Sequence, residues 1–202
     1  MKFEIPDLPP ELLFSEAGSV GTITLNRPGK LNTMTPAMGK ALIGLVNYIN
    51  NQPSIRVVIL TGSGNKAFSA GSDVKVLDDY GSNWELRNRV DYARGIWQIR
   101  KPVISKIRGY CIGGGLEMAL MSDIRYATPE SKFGAGEIKL GWHGGAGNTQ
   151  LLPRIMSTGK ALEMLLTGVI VNADDAESKG LVDRIVSENE IDQAVAELAG
   201  TI

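Results

Sequence analysis

The chain has little with which to bind metal or form cross-links. It contains one cysteine, Cys111, and one histidine, His143, in 202 residues. A lone thiol excludes an internal disulfide, so a reducing compartment is expected. One histidine and one cysteine, without carboxylates clustered at ligand spacing, exclude a zinc or iron set. Excess charge is also missing. The formal net charge is −1 and the pI about 5.9, so neither nucleic acid nor an anionic membrane is expected as a partner. No apolar run approaches membrane-spanning length. Residues 1–14 carry acids where a signal peptide would be apolar, and a cytoplasmic chain is expected. What remains is ordinary globular material, 43% hydrophobic and 21% charged, read as one domain over residues 1–202. The surplus lies in glycine, 24 residues concentrated over 109–147.

The hydrophobic pattern alternates between strand and helix. Leu12–Phe14 and Val20–Leu25, on either side of Ala17-Gly18-Ser19, read as a strand pair. Thr35-Pro36 reads as an N-cap with proline at the first helical position, opening a helix to about residue 50 striped by Met38, Leu42, Leu45 and Ile49. Arg56–Thr61 reads as a continuous β-branched run typical of a buried parallel strand, and Val103–Ile107 as a second buried strand. Ser82-Asn83-Trp84-Glu85 has capping-box spacing, and Leu86, Val90, Ala93 and Trp97 mark the face of a helix. A helix over about 114–121, a strand at Ile124–Ala127 and a helix with Leu162, Leu165 and Leu166 on one face, ending at Gly168, follow. Asn172 caps a helix ending at Gly180, Val182–Val186 reads as a last strand, and 190–199 as a last helix. Short connections between such elements predict an α/β chain with a mainly parallel sheet.

Two glutamates sit in glycine-rich segments: Glu117 in Gly113-Gly114-Gly115-Leu116-Glu117, and Glu137 in Phe133-Gly134-Ala135-Gly136-Glu137. The triple glycine precedes a helix, where free N–H groups and the positive dipole end suit a developing oxyanion. A hole needs a second donor, and Ala70-Gly71 is a reasonable source. Dipole capping is the plain alternative for Glu117, and a surface position that for Glu137. Gly62-Ser63-Gly64-Asn65-Lys66-Ala67 fits G-x-G-x-x-A, but loop follows where a dinucleotide site needs a helix. Ser69 with Asp123 and His143 permits a hydrolase order, although Gly71-Ser72-Asp73 does not run straight into a helix.

The ordered set Asn26-Arg27-Pro28 with Leu31-Asn32, Ala67-Phe68-Ser69-Ala70-Gly71-Ser72-Asp73-Val74-Lys75, Pro102-Val103-Ile104, Gly113–Leu120, Ser122–Arg125, Glu137–Gly141 and Leu166-Thr167-Gly168 resembles the crotonase (enoyl-CoA hydratase/isomerase) superfamily from about residue 12 to 190. The resemblance implies a ClpP-like spiral fold of ββα units with its C-terminal helical region truncated or missing after Ile202. It implies an acyl-CoA thioester substrate, no separate cofactor, and a homo-oligomer, trimer or dimer of trimers. It places the oxyanion donors on the N–H groups of Ala70 and Gly114, with Gly71, Ser72 and Asp73 beside the substrate and a basic contact to CoA from Lys30 or Arg27. Glu117 is implied to act on water and Glu137 on the Cα proton of an enoyl-CoA hydratase, a hydro-lyase. Isomerase and C–C hydrolase relatives, and a silent acyl-CoA-binding protein, are the alternatives. Gly141-Trp142-His143-Gly144-Gly145 departs from the family's usual apolar-apolar-Pro-Gly segment, which gives Trp142 and His143 a possible part in the acyl pocket.

Overall fold

The hairpin expected over residues 11–26 is present in the computed structural model, which describes residues 4–76 and 80–202. Strands β1 (Leu12–Ala17) and β2 (Val20–Leu25) pair antiparallel, and alternation along β2 buries Gly21, Ile23 and Leu25. Helix α1 (Pro36–Asn50) starts where Thr35 Oγ1 accepts from Met38 N at 3.2 Å. Then come β3 (Val57–Gly62), β4 (Ala67–Ser69), α2 (Asn83–Arg87) and α3 (Tyr92–Trp97). They are followed by β5 (Val103–Ile107), β6 (Tyr110–Ile112), α4 (Gly114–Leu120), β7 (Ile124–Ala127) and β8 (Lys132–Gly134). The remainder is α5 (Asn148–Ile155), α6 (Thr158–Thr167), β9 (Val171–Asn172), α7 (Ala173–Ser178), β10 (Arg184–Ile185) and α8 (Ile191–Thr201).

Two sheets result. The larger has the order β1-β2-β3-β5-β7-β10, parallel except for the first pair. The smaller has the order β4-β6-β8-β9, with only β9 antiparallel. Each turn of the chain sends one strand to the large sheet, the next to the small sheet, and then a helix: β3-β4, β5-β6-α4, β7-β8. This is the spiral of ββα units. It also explains the continuous apolar run at β3. Val58 and Leu60 face the main core with Leu42, Phe68 and Leu116, while Val57 and Ile59 face a second cluster with Ile191, Val195 and Ala199 of α8.

The structure corrects the sequence reading in three places. The apolar stripe Leu86–Trp97 is two short helices. Asp91 caps the second by accepting from Arg94 N at 2.9 Å, and Trp97 is 60% exposed. The capping-box glutamate reaches Gly81 N at 2.9 Å, not the Ser82 amide. In α6 the buried residues are Ala161 and Met164, whereas Leu162 and Leu166 lie exposed. Cys111, in the interior strand β6 of the small sheet, is fully buried, and burial pushes its thiol pKa up.

Candidate active site

The loop leaving β4 is held by the segment before α1. Leu31 and Asn32 both take left-handed backbone angles, with φ of 50° and 52°, a strained pair for residues other than glycine. Asn32 is fully buried. Its Oδ1 accepts from Arg27 N at 2.9 Å, and its Nδ2 donates to Ser63 O at 3.0 Å and Ala67 O at 2.7 Å. Its own carbonyl accepts from Ser69 Oγ at 2.9 Å. Ser69 is therefore a fully buried structural residue and no nucleophile. Asp73 pairs with Arg27 at 3.0 Å, and Arg27 also donates to Thr33. These two residues fasten the loop to its neighbour. Of the two basic candidates, Lys30 alone stands exposed.

One expectation fails here. The Ala70 N–H donates to Leu31 O at 2.9 Å and is not free to hold an oxyanion. Two residues on, the Ser72 N–H has no acceptor among the described residues, and neither has that of Gly114, the first residue of α4. The two segments touch. A Cβ on Gly71, whose φ is +86°, would stand 2.7 Å from Gly114 N. One on Gly115 would stand 2.0 Å from Ser69 O. The pair of open donors is thus Ser72 and Gly114. Backbone amides carry no residue signature, so the sequence could not single out Ser72 within its motif. The structure adds Tyr92, which sequence reasoning missed. Its hydroxyl lies 2.9 Å from Ser72 Oγ, and a Cβ on Gly114 would meet it at 2.0 Å. A cleft lined by Met34, Pro36, Val76, Val90 and Tyr92 opens beside Ser72.

Glu117 lies in the first turn of α4 with 6% exposure. Its Oε1 accepts from Ala146 N at 2.8 Å. Burial raises its pKa to about 7, the Ala146 bond opposes the rise, and the charge of Glu137 adds to it. Glu137 lies in a 3-10 turn over Gly136–Leu140. Burial raises its pKa too, against hydrogen bonds to its carboxylate from its own backbone N–H and from Asn148. Asn148 Nδ2 donates to Glu137 Oε1 at 3.0 Å, and Asn148 is fully buried. One three-residue segment, 146–148, therefore holds both glutamates. A Cβ on Gly113 would stand 3.6 Å from Glu137 Oε1, so Glu137 also lies against the donor loop. Asn148 was passed over in the sequence. An asparagine following a run of glycines at the start of a helix was the available signal. Trp142 and His143 are exposed. Among the described residues, the one hydrogen bond of the His143 ring is with Gly144 O, at 3.4 Å within its own loop.

Among the described residues no group of histidine, cysteine or carboxylate side chains could hold a metal ion, and no helix is long and apolar enough to cross a membrane. The arrangement offers a buried and a half-buried carboxylate beside two open N–H groups, the means for moving protons next to a polarised carbonyl. Similar proteins carry the same fold. An enoyl-CoA hydratase from Bacillus anthracis superposes with a TM-score of 0.90 at 32% identity, over 95% of this chain and 76% of that one. A crotonyl-CoA hydratase from Syntrophomonas wolfei is 32% identical over 95% of this chain and 75% of its own length. A mitochondrial enoyl-CoA hydratase from Pongo abelii is 39% identical over 83% of this chain and 58% of its own. The chain thus spans between 58% and 75% of the length of these two relatives. The family model described as enoyl-CoA hydratase/isomerase matches residues 15–202, and the chain belongs to that family.

Proposed function

We propose that the chain hydrates 2,3-trans-enoyl-CoA thioesters. The carrying observation is the pair of the buried Glu117 and the half-buried Glu137, both held by residues 146–148, beside the open N–H groups of Ser72 and Gly114. In this reading the thioester oxygen lies between the two N–H groups, which stabilise it as the enolate forms; one such donor is worth about 10²–10³ in rate. Glu117 as carboxylate takes a proton from water while the water oxygen bonds to Cβ. The C=C pair moves into the enolate. Glu137 as the acid then gives its proton to Cα, and the thioester carbonyl re-forms. The net addition is one water. Proton exchange with solvent returns the carboxyls to their starting states. The apolar cleft beside Ser72 suits the acyl chain. Coenzyme A arrives as part of the substrate, with Lys30 its candidate basic contact. Exposed Leu162, Leu166, Val169 and Ile170 support association into a homo-oligomer, and a single buried cysteine suits the cytoplasm.

A panel of acyl- and enoyl-CoA thioesters on the purified chain tests this. Turnover of crotonyl-CoA is expected; binding without turnover across the panel would instead mark a silent acyl-CoA-binding protein. The pH dependence is also specified. Water activation needs Glu117 ionised, and its pKa is raised to about 7 by burial. Hydration kcat/KM should therefore fall about tenfold per unit on the acid side of neutrality. A profile level down to roughly pH 5 would be that of an unshifted carboxylate and would contradict this assignment.

A further inference from the structure

Among the described residues, two buried oxygens near the centre of the site lack a donor: Glu137 Oε2 and Asn148 Oδ1. Each belongs to one member of the pair already joined by Asn148 Nδ2 and Glu137 Oε1 at 3.0 Å. With Glu137 ionised, both are acceptors, and leaving two such oxygens buried without a donor is costly. A neutral carboxyl gains one O–H donor. A carboxylic acid and a primary amide are complementary in this respect: N–H donates to one carbonyl and O–H to the other, closing an eight-membered ring. The two oxygens left over are the two that this ring would join.

We propose that Asn148 is a positioning residue that holds Glu137 as the neutral acid in a cyclic acid–amide pair, Asn148 Nδ2 donating to Glu137 Oε1 and Glu137 Oε2–H donating to Asn148 Oδ1. The pairing divides the labour between the two glutamates. Glu117 accepts from a backbone N–H, the Ala146 amide, which favours its charged form. Asn148 Nδ2 by itself favours the Glu137 carboxylate, but the amide oxygen beside it can accept a proton only from the neutral form, and that second bond reverses the balance. Two adjacent carboxyls then share one negative charge, and the amide fixes which of them keeps the proton. The neighbouring charges agree with this. Glu117, from α4, is the acidic group beside Glu137; Arg89 and Asp91, before α3, act on Glu117 with opposite signs. Lys139 lies against Gly168, and Lys160 is paired with Glu163 on the outside of α6. The ring ties the Glu137 proton to a fully buried partner, so protonation of Cα requires that partner to give way as the enolate forms.

The proposal rests on the hydration reading for its catalytic meaning, but its first test needs no turnover. Infrared difference spectra of the wild-type chain against Glu137→Gln, at neutral pH in water and in D2O, should show a protonated-carboxyl band. It should be absent in the variant and displaced in Asn148→Ala. If water bridges the two oxygens and Glu137 is ionised, any protonated-carboxyl band is that of Glu117, lost in Glu117→Gln and kept in Glu137→Gln, and the proposal is overturned. Glutamine reproduces the neutral acid's hydrogen bonds, so Glu137→Gln should keep the wild-type melting temperature at neutral pH; a marked drop would count against the ring. In kinetics, Asn148→Ala should lower kcat at least ~10-fold with little change in KM, and move the alkaline limb of the profile to lower pH, because the neutral acid has lost its acceptor. An alkaline limb that moves up would mean that Asn148 stabilises the carboxylate, contrary to the proposal. Should Asn148→Ala fail to fold, the wild-type and Glu137→Gln spectra decide alone. A carboxyl band in a chain that turns over no thioester would sink the hydratase reading and leave the pair standing.

Discussion

Glu117→Gln should lower crotonyl-CoA hydration by about 10²–10⁴, the usual contribution of a general base, and Glu137→Gln should lower it by a similar factor. Glutamine keeps an oxygen that can accept from Ala146 N, so the segment that holds both acids stays in place and the loss is one of proton transfer. The same Glu117 variant should gain stability at alkaline pH. Burial holds the Glu117 pKa near 7 when folded, against about 4.3 unfolded. Between those values the folded chain keeps a proton that the unfolded chain has released, so stability falls as pH rises through the window. Above it the penalty is complete, on the order of 3 kcal/mol by linkage. Glutamine never ionises and escapes it. Denaturant curves for the two proteins should therefore diverge between about pH 4 and pH 8, with the variant the more stable at the upper end. Hydration that survives both substitutions would rule out the two-glutamate mechanism.

Gly115→Ala should have the largest effect on structure and activity together. The added methyl would lie 2.0 Å from Ser69 O and 2.7 Å from Ser69 C, and both are backbone atoms of a buried strand. No side-chain rotation relieves this. The start of α4 and the end of β4 must move apart by on the order of 1 Å, at a typical overpacking cost of about 1–3 kcal/mol or more. Gly114 opens α4, and Ser72 lies in the loop that leaves β4. A displacement of that size between catalytic groups reduces rate by about 10²-fold. Gly159→Ala is the control. Gly159 lies in α6 with nothing within 4 Å of an added Cβ, so helix propensity should leave that variant equal to the wild type or about 1 kcal/mol more stable. Equal activity in both variants would mean that the approach of α4 to β4 does not set the donor spacing.

What the residues disclosed in advance depended on whether a side chain or the backbone does the work. Thr35-Pro36, Asn172 and Gly168 state helix limits chemically, and each cap lies where it was read. The run at β3 was legible because burial on both faces leaves Val57–Leu60 without a polar residue. The small sheet was not, since β4, β6 and β8 have three residues each, too few for a period to show. The stripe from Leu86 to Trp97 misled because apolar spacing continued across a break marked only by Asp91. At the site, both glutamates were visible as carboxylates among glycines. The second donor was not: Ala70 and Ser72 differ in what their amides already bind, which follows from how Leu31 crosses the loop. Asn148 escaped for another reason. Its importance lies in two oxygens left unmatched, a property of three-dimensional neighbours that no single residue type announces.

The position of Cys111 turns the chain's one thiol into a clock. Sealed in an interior strand of the small sheet, with its thiolate disfavoured by burial, it should meet a thiol reagent only when that sheet opens. The rate of labelling would then count openings of the strands that lead to Ser72 and Gly114. A saturating acyl-CoA that binds only the closed form should slow the count by the factor 1 + [L]/Kd. Occupancy of the site could thus be read from a cysteine that never touches the ligand, in a chain with no second thiol to confuse the signal.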